Sequence, residues 1–215
     1  MLQSMHFQEE IYWERRLTNN YGKTGHGSKL HTWKSRYLER HIQDKVENAQ
    51  PEYGDESEIV ESAILCNPYI HKLHITQLQA WKPPLTWDAT ETPDVYPIAH
   101  INLQLVLSKL TNLVELDICF GVKNIDLNFK WDMFKVSLDD IRHLGDAIRY
   151  LKLLKVFKLR NSNINDDHIR ILAPSIISHG LIEELDFSHC IIGDNGALCI
   201  AKIMMTLTTL TKVRT

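Results

Sequence analysis

Three consecutive polar residues, Asp166-Asp167-His168, carry side chains that could hold a metal ion or act as a general acid and base. Carboxylates and imidazoles are the usual side chains for both kinds of chemistry. In a later stretch of the chain, Asp194 and Asn195 occupy the matching place, where a helix is expected to begin. An aspartate there satisfies the free backbone N–H groups of the first helical turn. We therefore expect Asp166 and Asp194 to cap helices and not to form a catalytic or metal site.

No other motif in the sequence indicates an enzyme. The chain contains no GxxxxGK[ST], GxGxxG, HExxH or GxSxG motif, which are the motifs of nucleotide binding and common hydrolytic chemistry. Its 11 histidines are scattered without metal-ligand spacing. The four cysteines form no CxxC pair, so we expect free thiols and a reducing, intracellular compartment. The sequence predicts no catalytic residue, no metal and no cofactor.

The charge and hydropathy of the chain exclude two classes of partner. The net charge is −3 over 215 residues, so no overall positive field attracts nucleic acid or anionic lipid. No apolar run approaches the roughly 18 residues that a membrane span needs, and the amino terminus lacks the pattern of a secretory signal. We expect neither nucleic acid nor membrane as a partner.

The elements that would position any site come from a repeated pattern. The stretch LLKVFKLRNSNINDDH is followed 28 residues later by LIEELDFSHCIIGDNG, with the same kinds of residue in the same places. Both match L-x-x-L-x-L-x-x-[N/C]-x-L, the pattern of a leucine-rich repeat, in which a short strand precedes a turn. Ser162 and Cys190 fill the turn position, where a small polar group satisfies backbone groups. The rest of each unit has apolar residues at helical spacing.

The same frame extends in both directions along the chain. YIHKLHI and NLVELDI predict two earlier strands separated by longer loops, and LTKVRT begins a further strand. The predicted fold is α/β, a ribonuclease-inhibitor-like leucine-rich-repeat solenoid of about five parallel strands backed by helices. Residues 68–215 form the repeats, and no capping repeat follows. We expect another molecule or further repeats to cover the edge that contains Leu210 and Val213.

The amino-terminal part has a different composition. Residues 1–48 mix aromatic and basic side chains with interleaved acids, and the spacing of Trp33, Tyr37 and Ile42 is that of an amphipathic helix. RNA binding is one interpretation of such a mixture. We favour a helical region that docks on the first repeat or on a neighbouring subunit. Residues 49–67 are a predicted linker and lead-in.

Two groups of residues are candidate partner contacts. On the outward side of the strands, opposite charges alternate along two rows, and Lys158 and Arg160 are candidates for binding a partner helix or a tubulin tail. The alternative, which we favour for the rows, is a ladder of charges satisfied across the strands. Phe129, Trp131 and Phe134 lie in an inserted loop, where they either tuck over the helices or anchor a partner.

Several segments resemble one known family. Phe120-Gly121-Val122, Asn128-Phe129-Lys130-Trp131 and NDDHIRILAPSIISHGLIEELDFSHCIIGDNGA are similar to the leucine-rich-repeat subunit of the nexin–dynein regulatory complex, the T-complex-associated testis-expressed family. FQEEIYWERR and WKSRYLERHIQ resemble the region that precedes the repeats in that family. The family's repeat array is longer than the array in this chain.

The resemblance implies a role and a place in the cell. It implies a non-enzymatic scaffold in the axoneme of motile cilia and flagella, with other dynein regulatory complex subunits and doublet microtubule-associated proteins as partners. The second hypothesis is a soluble adaptor, either a ribonuclease-inhibitor-like binder or a ubiquitin-ligase substrate receptor, because fold alone does not fix function.

Overall fold

The computed structural model describes residues 2–22, 32–49, 55–78, 100–121 and 134–215. Within them the chain forms an α/β arrangement with one parallel sheet. The helices are α1 Leu2–Tyr21, α2 Trp33–Glu47, α3 Asp55–Cys66, α4 Leu103–Leu107, α5 Leu138–Tyr150, α6 Asp166–His179 and α7 Asp194–Thr206. The strands are β1 Lys72–Ile75, β2 Glu115–Ile118, β3 Val156–Leu159, β4 Glu184–Asp186 and β5 Lys212–Arg214. A single turn of 3-10 helix, Asn67–Tyr69, leads into β1.

The five strands lie side by side in the order of the chain, and every neighbouring pair is parallel. Within the described ranges, one helix (α4, α5, α6 or α7) lies between each pair of successive strands in the sequence. The predicted α/β class with five parallel strands is confirmed. The assignment of these units to leucine-rich repeats stays a prediction.

The core lies between the sheet and the helices. Because side chains alternate between the two sides of a strand, every second strand residue points at the helices. The register aligns these residues into rows, of which the first consists of Leu73, Leu116, Phe157, Leu185 and Val213. The first four are fully buried, and each contributes roughly 1.5–3 kcal/mol relative to an exposed position. Phe157 also meets Phe187 of the next unit edge to face, with ring centroids 6.4 Å apart.

The starts of the repeat helices differ by one residue from the sequence prediction. Asp166 and Asp194 are the first helical residues, and the N-caps are Asn165 and Gly193. The Asn165 side chain accepts hydrogen bonds from two backbone N–H groups of α6. Gly193 has no capping side chain of its own. Instead, its backbone N–H donates to Oδ1 of Asp166 in the preceding unit, at 2.7 Å. Asp166 therefore acts as a cap, but for the neighbouring helix.

The amino-terminal helices pack on one another and on the first strand. Trp13 of α1 contacts Tyr37 of α2, with ring centroids 5.3 Å apart. The carboxylate of Glu39 in α2 accepts the backbone N–H groups of His71 and Lys72. The predicted docking of an amphipathic helix on the first unit is thus confirmed for α2. The segment 49–67, predicted as linker and lead-in, contains helix α3, whose Ile59 and Ala63 are buried.

The contact between α6 and α7 leads to a prediction about Gly196. A Cβ atom added to Gly196 would stand 2.6 Å from Oδ1 of Asp166 and 2.8 Å from a methyl group of Ile192. Gly→Ala inside a helix normally stabilises it by about 1 kcal/mol. Here we expect Gly196→Ala to lower the free energy of unfolding by about 1–3 kcal/mol because of overpacking, measured by urea denaturation.

A matched variant separates the clash from other effects. In Asp166→Ala/Gly196→Ala the carboxylate is absent, so the second substitution should cost less than it does in the wild type. An increase in stability for Gly196→Ala alone would contradict the packing described here.

Candidate functional site

The side of the sheet that faces away from the helices carries a dense set of charges, which we call the charged face. The register places its residues in the two predicted rows. One row is Lys72, Glu115, Val156, Glu184 and Lys212, and the other is His74, Asp117, Lys158, Asp186 and Arg214. Both rows are confirmed by the pairing of the strands.

The side chains of the charged face pair across the strands. Glu115 accepts from Lys158 Nζ at 2.6 Å and from Lys72 Nζ at 3.0 Å. Arg160, just beyond β3, donates two hydrogen bonds to the carboxylate of Asp117, at 2.6 and 3.0 Å. Toward the other end, Lys212 pairs with Glu184 at 2.9 Å and Arg214 with Asp186 at 3.3 Å. The ladder interpretation of the rows is therefore the one that the geometry supports.

Burial strengthens these pairs beyond those of an ordinary surface. Asp117 and Asp186, expected to be exposed, are 5% and 2% exposed, because the longer basic side chains of the neighbouring strands cover them. Hydrogen bonds from Ser188 and Arg214 outweigh the burial of Asp186 and lower the pKa of its carboxyl. The pKa of Glu115 is held far below its ordinary value, first by the hydrogen bond from His74 and then, against desolvation, by those from Lys158 and Lys72. Both acids are thus fixed in the charged form.

The turn that follows β3 or β4 is closed by a small polar side chain, as the sequence predicts. The Ser162 hydroxyl accepts the backbone N–H of Phe120 in the preceding unit at 2.9 Å and donates to the carbonyl of Arg160. Cys190 donates its thiol to the carbonyl of Leu159, at 3.3 Å. Burial raises the pKa of Cys190 to about 11, which keeps the thiol protonated and suits it to a donor role.

The Asp166-Asp167-His168 triplet has a structural role at each residue. Asp166 caps α7 as described, and Asp167 pairs with Arg170 one turn along α6. Nδ1 of His168 accepts the backbone N–H of Asn165, and Nε2 lies 3.1 Å from the carbonyl of Val136. Burial lowers the pKa of His168, which favours the neutral imidazole that these two contacts require. The prediction that Asp166 and Asp194 cap their own helices is wrong, because Asn165 and Gly193 hold those positions and Asp166 caps the following helix instead.

A buried histidine and a buried aspartate meet at a place that no sequence pattern predicts. Nδ1 of His100 lies 2.9 Å from Oδ2 of Asp140, and both side chains are buried. The same oxygen accepts the hydroxyl of Ser137 at 2.7 Å, as part of the capping box of α5. A Ser-His-Asp nucleophile requires its hydroxyl to contact the imidazole, whereas Ser137 donates to the carboxylate. The pKa of Asp140 is lowered because hydrogen bonds from His100 and Ser137 outweigh its burial. This trio fixes the start of α5.

The predicted partner contacts lie in three parts of the chain. Lys158 and Arg160 lie together on the charged face, and both are engaged with acids, as described above. Leu210 and Val213, at the β5 end, are partly buried against the core. Phe134 is partly buried just before α5. Phe129 and Trp131 lie outside the described residues.

Among the residues that the structure describes, no cluster of three or more His, Cys, Asp or Glu side chains is placed to hold a metal ion. Across the same described ranges, no helix combines the length and the apolar character that crossing a membrane requires.

The depressed pKa of Glu115 predicts how stability depends on pH. A carboxyl whose pKa is lower in the folded than in the unfolded chain stabilises the fold above the unfolded value of about 4.3, and this contribution is lost as the pH falls toward the folded value. Glu115→Gln should therefore be less stable than the wild type near neutral pH, and the difference should shrink between about pH 5 and pH 3. Urea denaturation at a series of pH values measures it.

Glu183→Gln is the matched control. Glu183 pairs with Lys155 at 2.7 Å, but the two side chains are 45% and 55% exposed, so solvent screens the pair. Its effect on stability should be small and nearly independent of pH. A constant stability difference between Glu115→Gln and the wild type across the acid range would contradict the assignment.

Several curated proteins are similar in sequence to this chain over most of its length. It is 32% identical over 206 residues to dynein regulatory complex subunit 5 of Mus musculus, a match that covers 90% of this chain and 41% of the relative. The protein of the same name from Homo sapiens is 32% identical over 184 residues, covering 80% of this chain and 36% of the relative. The Chlamydomonas reinhardtii protein of that name is 23% identical over 164 residues, covering 76% and 37%.

No protein-family model matches the chain. The chain spans about two-fifths of the length of the Mus musculus and Homo sapiens relatives. The resemblance predicted from the sequence is confirmed, and over most of its own length the chain is a relative of dynein regulatory complex subunit 5.

Proposed function

We propose that this chain is a non-enzymatic structural subunit of the axonemal nexin–dynein regulatory complex. In this role it supports the regulation of dynein in motile cilia and flagella through protein–protein contacts. The observation that carries the proposal is the 32% identity to dynein regulatory complex subunit 5 of Mus musculus over 206 residues, 90% of the chain. Other subunits of that complex and proteins associated with the doublet microtubules are the proposed partners.

The proposal includes a ribonuclease-inhibitor-like leucine-rich-repeat array. Three observations support it. Each unit combines one short strand with one helix, and successive strands pair in chain order. Ser162 and Cys190 bond to backbone groups at the turn position of the pattern. The first row of the core consists of the leucine, phenylalanine and valine side chains that the pattern requires.

The mechanism is mechanical. Each unit is joined to the next by strand pairing, by charge pairs such as Arg160–Asp117 and by the cap from Asp166 to Gly193. Such links resist bending between units, so a partner on one unit keeps a fixed orientation to a partner on another. A rigid link of this kind transmits force and position and requires no bond-making chemistry.

The proposed contact residues follow from this role. Arg160 is 44% exposed while it pairs with Asp117, so its guanidinium can also meet a partner, and the less exposed Lys158 lies beside it. Leu210, Val213 and Phe134 keep part of their apolar surface open. Leu198 and Met205 of α7 are exposed apolar side chains as well. Phe129 and Trp131 complete the proposal from outside the described residues.

The proposed location is tested by cross-linking mass spectrometry on demembranated axonemes from motile cilia. We expect the protein to remain with washed axonemes, and we expect Lys152 and Lys202, both exposed, to form cross-links to other subunits of the dynein regulatory complex. Lys45 is the internal control. Its side chain is 23% exposed and pairs with Glu58, so it should cross-link in lower yield.

The opposite outcome favours a different class of protein. Recovery of the chain only in the soluble fraction, with no cross-link to axonemal proteins, would reject the structural role. The soluble adaptor hypothesis, a ribonuclease-inhibitor-like binder or a ubiquitin-ligase substrate receptor, would then take its place.

A further inference from the structure

A cleft of about 340 Å³ opens where the amino-terminal helices meet the first strand, and we call it the α2–β1 cleft. Four of its seven lining residues are arginine, lysine or histidine. The lining residues are Leu17, Arg36, Glu39, Arg40, Gln43, Lys72 and His74. The cleft borders the charged face, to which Lys72 and His74 also belong.

Local structure explains why these side chains converge. Arg36 and Arg40 are four residues apart in α2 and therefore lie on the same face of that helix. Lys72 and His74 alternate along β1 and therefore point to the same side of the sheet. Glu39 joins the two elements, because its Oε1 accepts the backbone N–H groups of His71 and Lys72 at 3.1 and 2.9 Å. The cleft is thus built on two rigid elements that are held together.

The cleft carries more positive than negative charge. Its acid, Glu39, is directed to the backbone of β1. Glu115, outside the cleft, is shared among Lys72, His74 and Lys158. Arg40 lies over the ring of Tyr21, with 5.6 Å between guanidinium and centroid. Within the described ranges of the chain, no carboxylate lies at ion-pair distance from Arg40.

We infer that the α2–β1 cleft binds an acidic segment of a partner polypeptide, with Arg40 and Lys72 as its principal contacts. A guanidinium on one wall and an ammonium on the other offer two separate donors to carboxylates of successive acidic residues. The inference deepens the proposed function, and rests on it, in that it names the chemistry of one protein partner.

The extent of the positive region favours a short peptide over a nucleic acid. Beyond β1 the charged face is neutralised by Glu115 and Asp117, which pair with Lys158 and Arg160. A nucleic acid needs a run of positive charge along its backbone, whereas this excess is confined to one cleft.

The inference is tested by fluorescence polarisation of a short labelled oligo-glutamate peptide mixed with the full chain. We expect saturable binding that weakens as salt is raised, since screening shortens from about 10 Å at 0.1 M to about 3 Å at 1 M. Arg40→Glu should weaken binding by about tenfold or more, which equals about 1.4 kcal/mol. Lys202→Glu, the same charge change on the exposed side of α7, should leave binding unchanged.

Two further variants keep the test decisive if Arg40→Glu does not fold, as judged by circular dichroism. Arg40→Gln and Lys72→Gln remove one charge each without introducing repulsion, and each should weaken the binding of the peptide. Equal loss of affinity in Lys202→Glu, or unchanged affinity in folded Arg40 variants, would overturn the inference. Single-stranded DNA of equal charge that binds as tightly, with the same dependence on Arg40, would also overturn it. The peptide test uses isolated protein, so a negative result does not contradict the proposed axonemal location. Absence from axonemes, in turn, does not contradict binding of an acidic peptide in the cleft.

Discussion

The rest of the structure depends on the hydrogen bonds by which each short strand begins on the one before it. The backbone N–H of Val114 donates to the carbonyl of His71, Lys155 to Val114, Glu183 to Lys155 and Thr211 to Glu183, at 2.7 to 2.9 Å. The strands are only three or four residues long, so no unit can bury its own apolar row. Stacking supplies that burial, and this series of bonds fixes the register in which the stacking occurs.

Register in turn determines what the side chains can do. Because equivalent residues of neighbouring units lie side by side about 4.8 Å apart, a leucine meets a leucine on one side of the sheet and an acid meets a base on the other. The turn side chains of Ser162 and Cys190 and the cap from Asp166 add a bond between units at the sheet's margin. Stability is therefore shared between neighbours, and a change in one unit weakens the interface on both of its sides.

The sheet could be predicted because residues at equivalent positions of successive repeats become neighbours on adjacent strands. The five strands, both charged rows, the turn residues Ser162 and Cys190 and the docking of α2 all followed from spacing in the sequence. Contacts that depend on how far a side chain extends did not follow from the spacing. Arg160, and not Lys158, binds the carboxylate of Asp117, because its guanidinium extends back along the strand and donates two hydrogen bonds. His100 and Asp140 lie 40 residues apart, which is not the 28-residue period, so no pattern connects them.

The pairing of charges across the strands limits where a partner can bind. Most acids of the charged face already pair with bases of the adjoining strands. Among the described strands, β1 has a neighbouring strand on one side only, and α2 lies against it. This helix brings Arg40 near Lys72, and no carboxylate of the described residues lies at ion-pair distance from Arg40. The α2–β1 cleft therefore differs from the middle of the charged face, where each base lies beside the acids of a neighbouring strand.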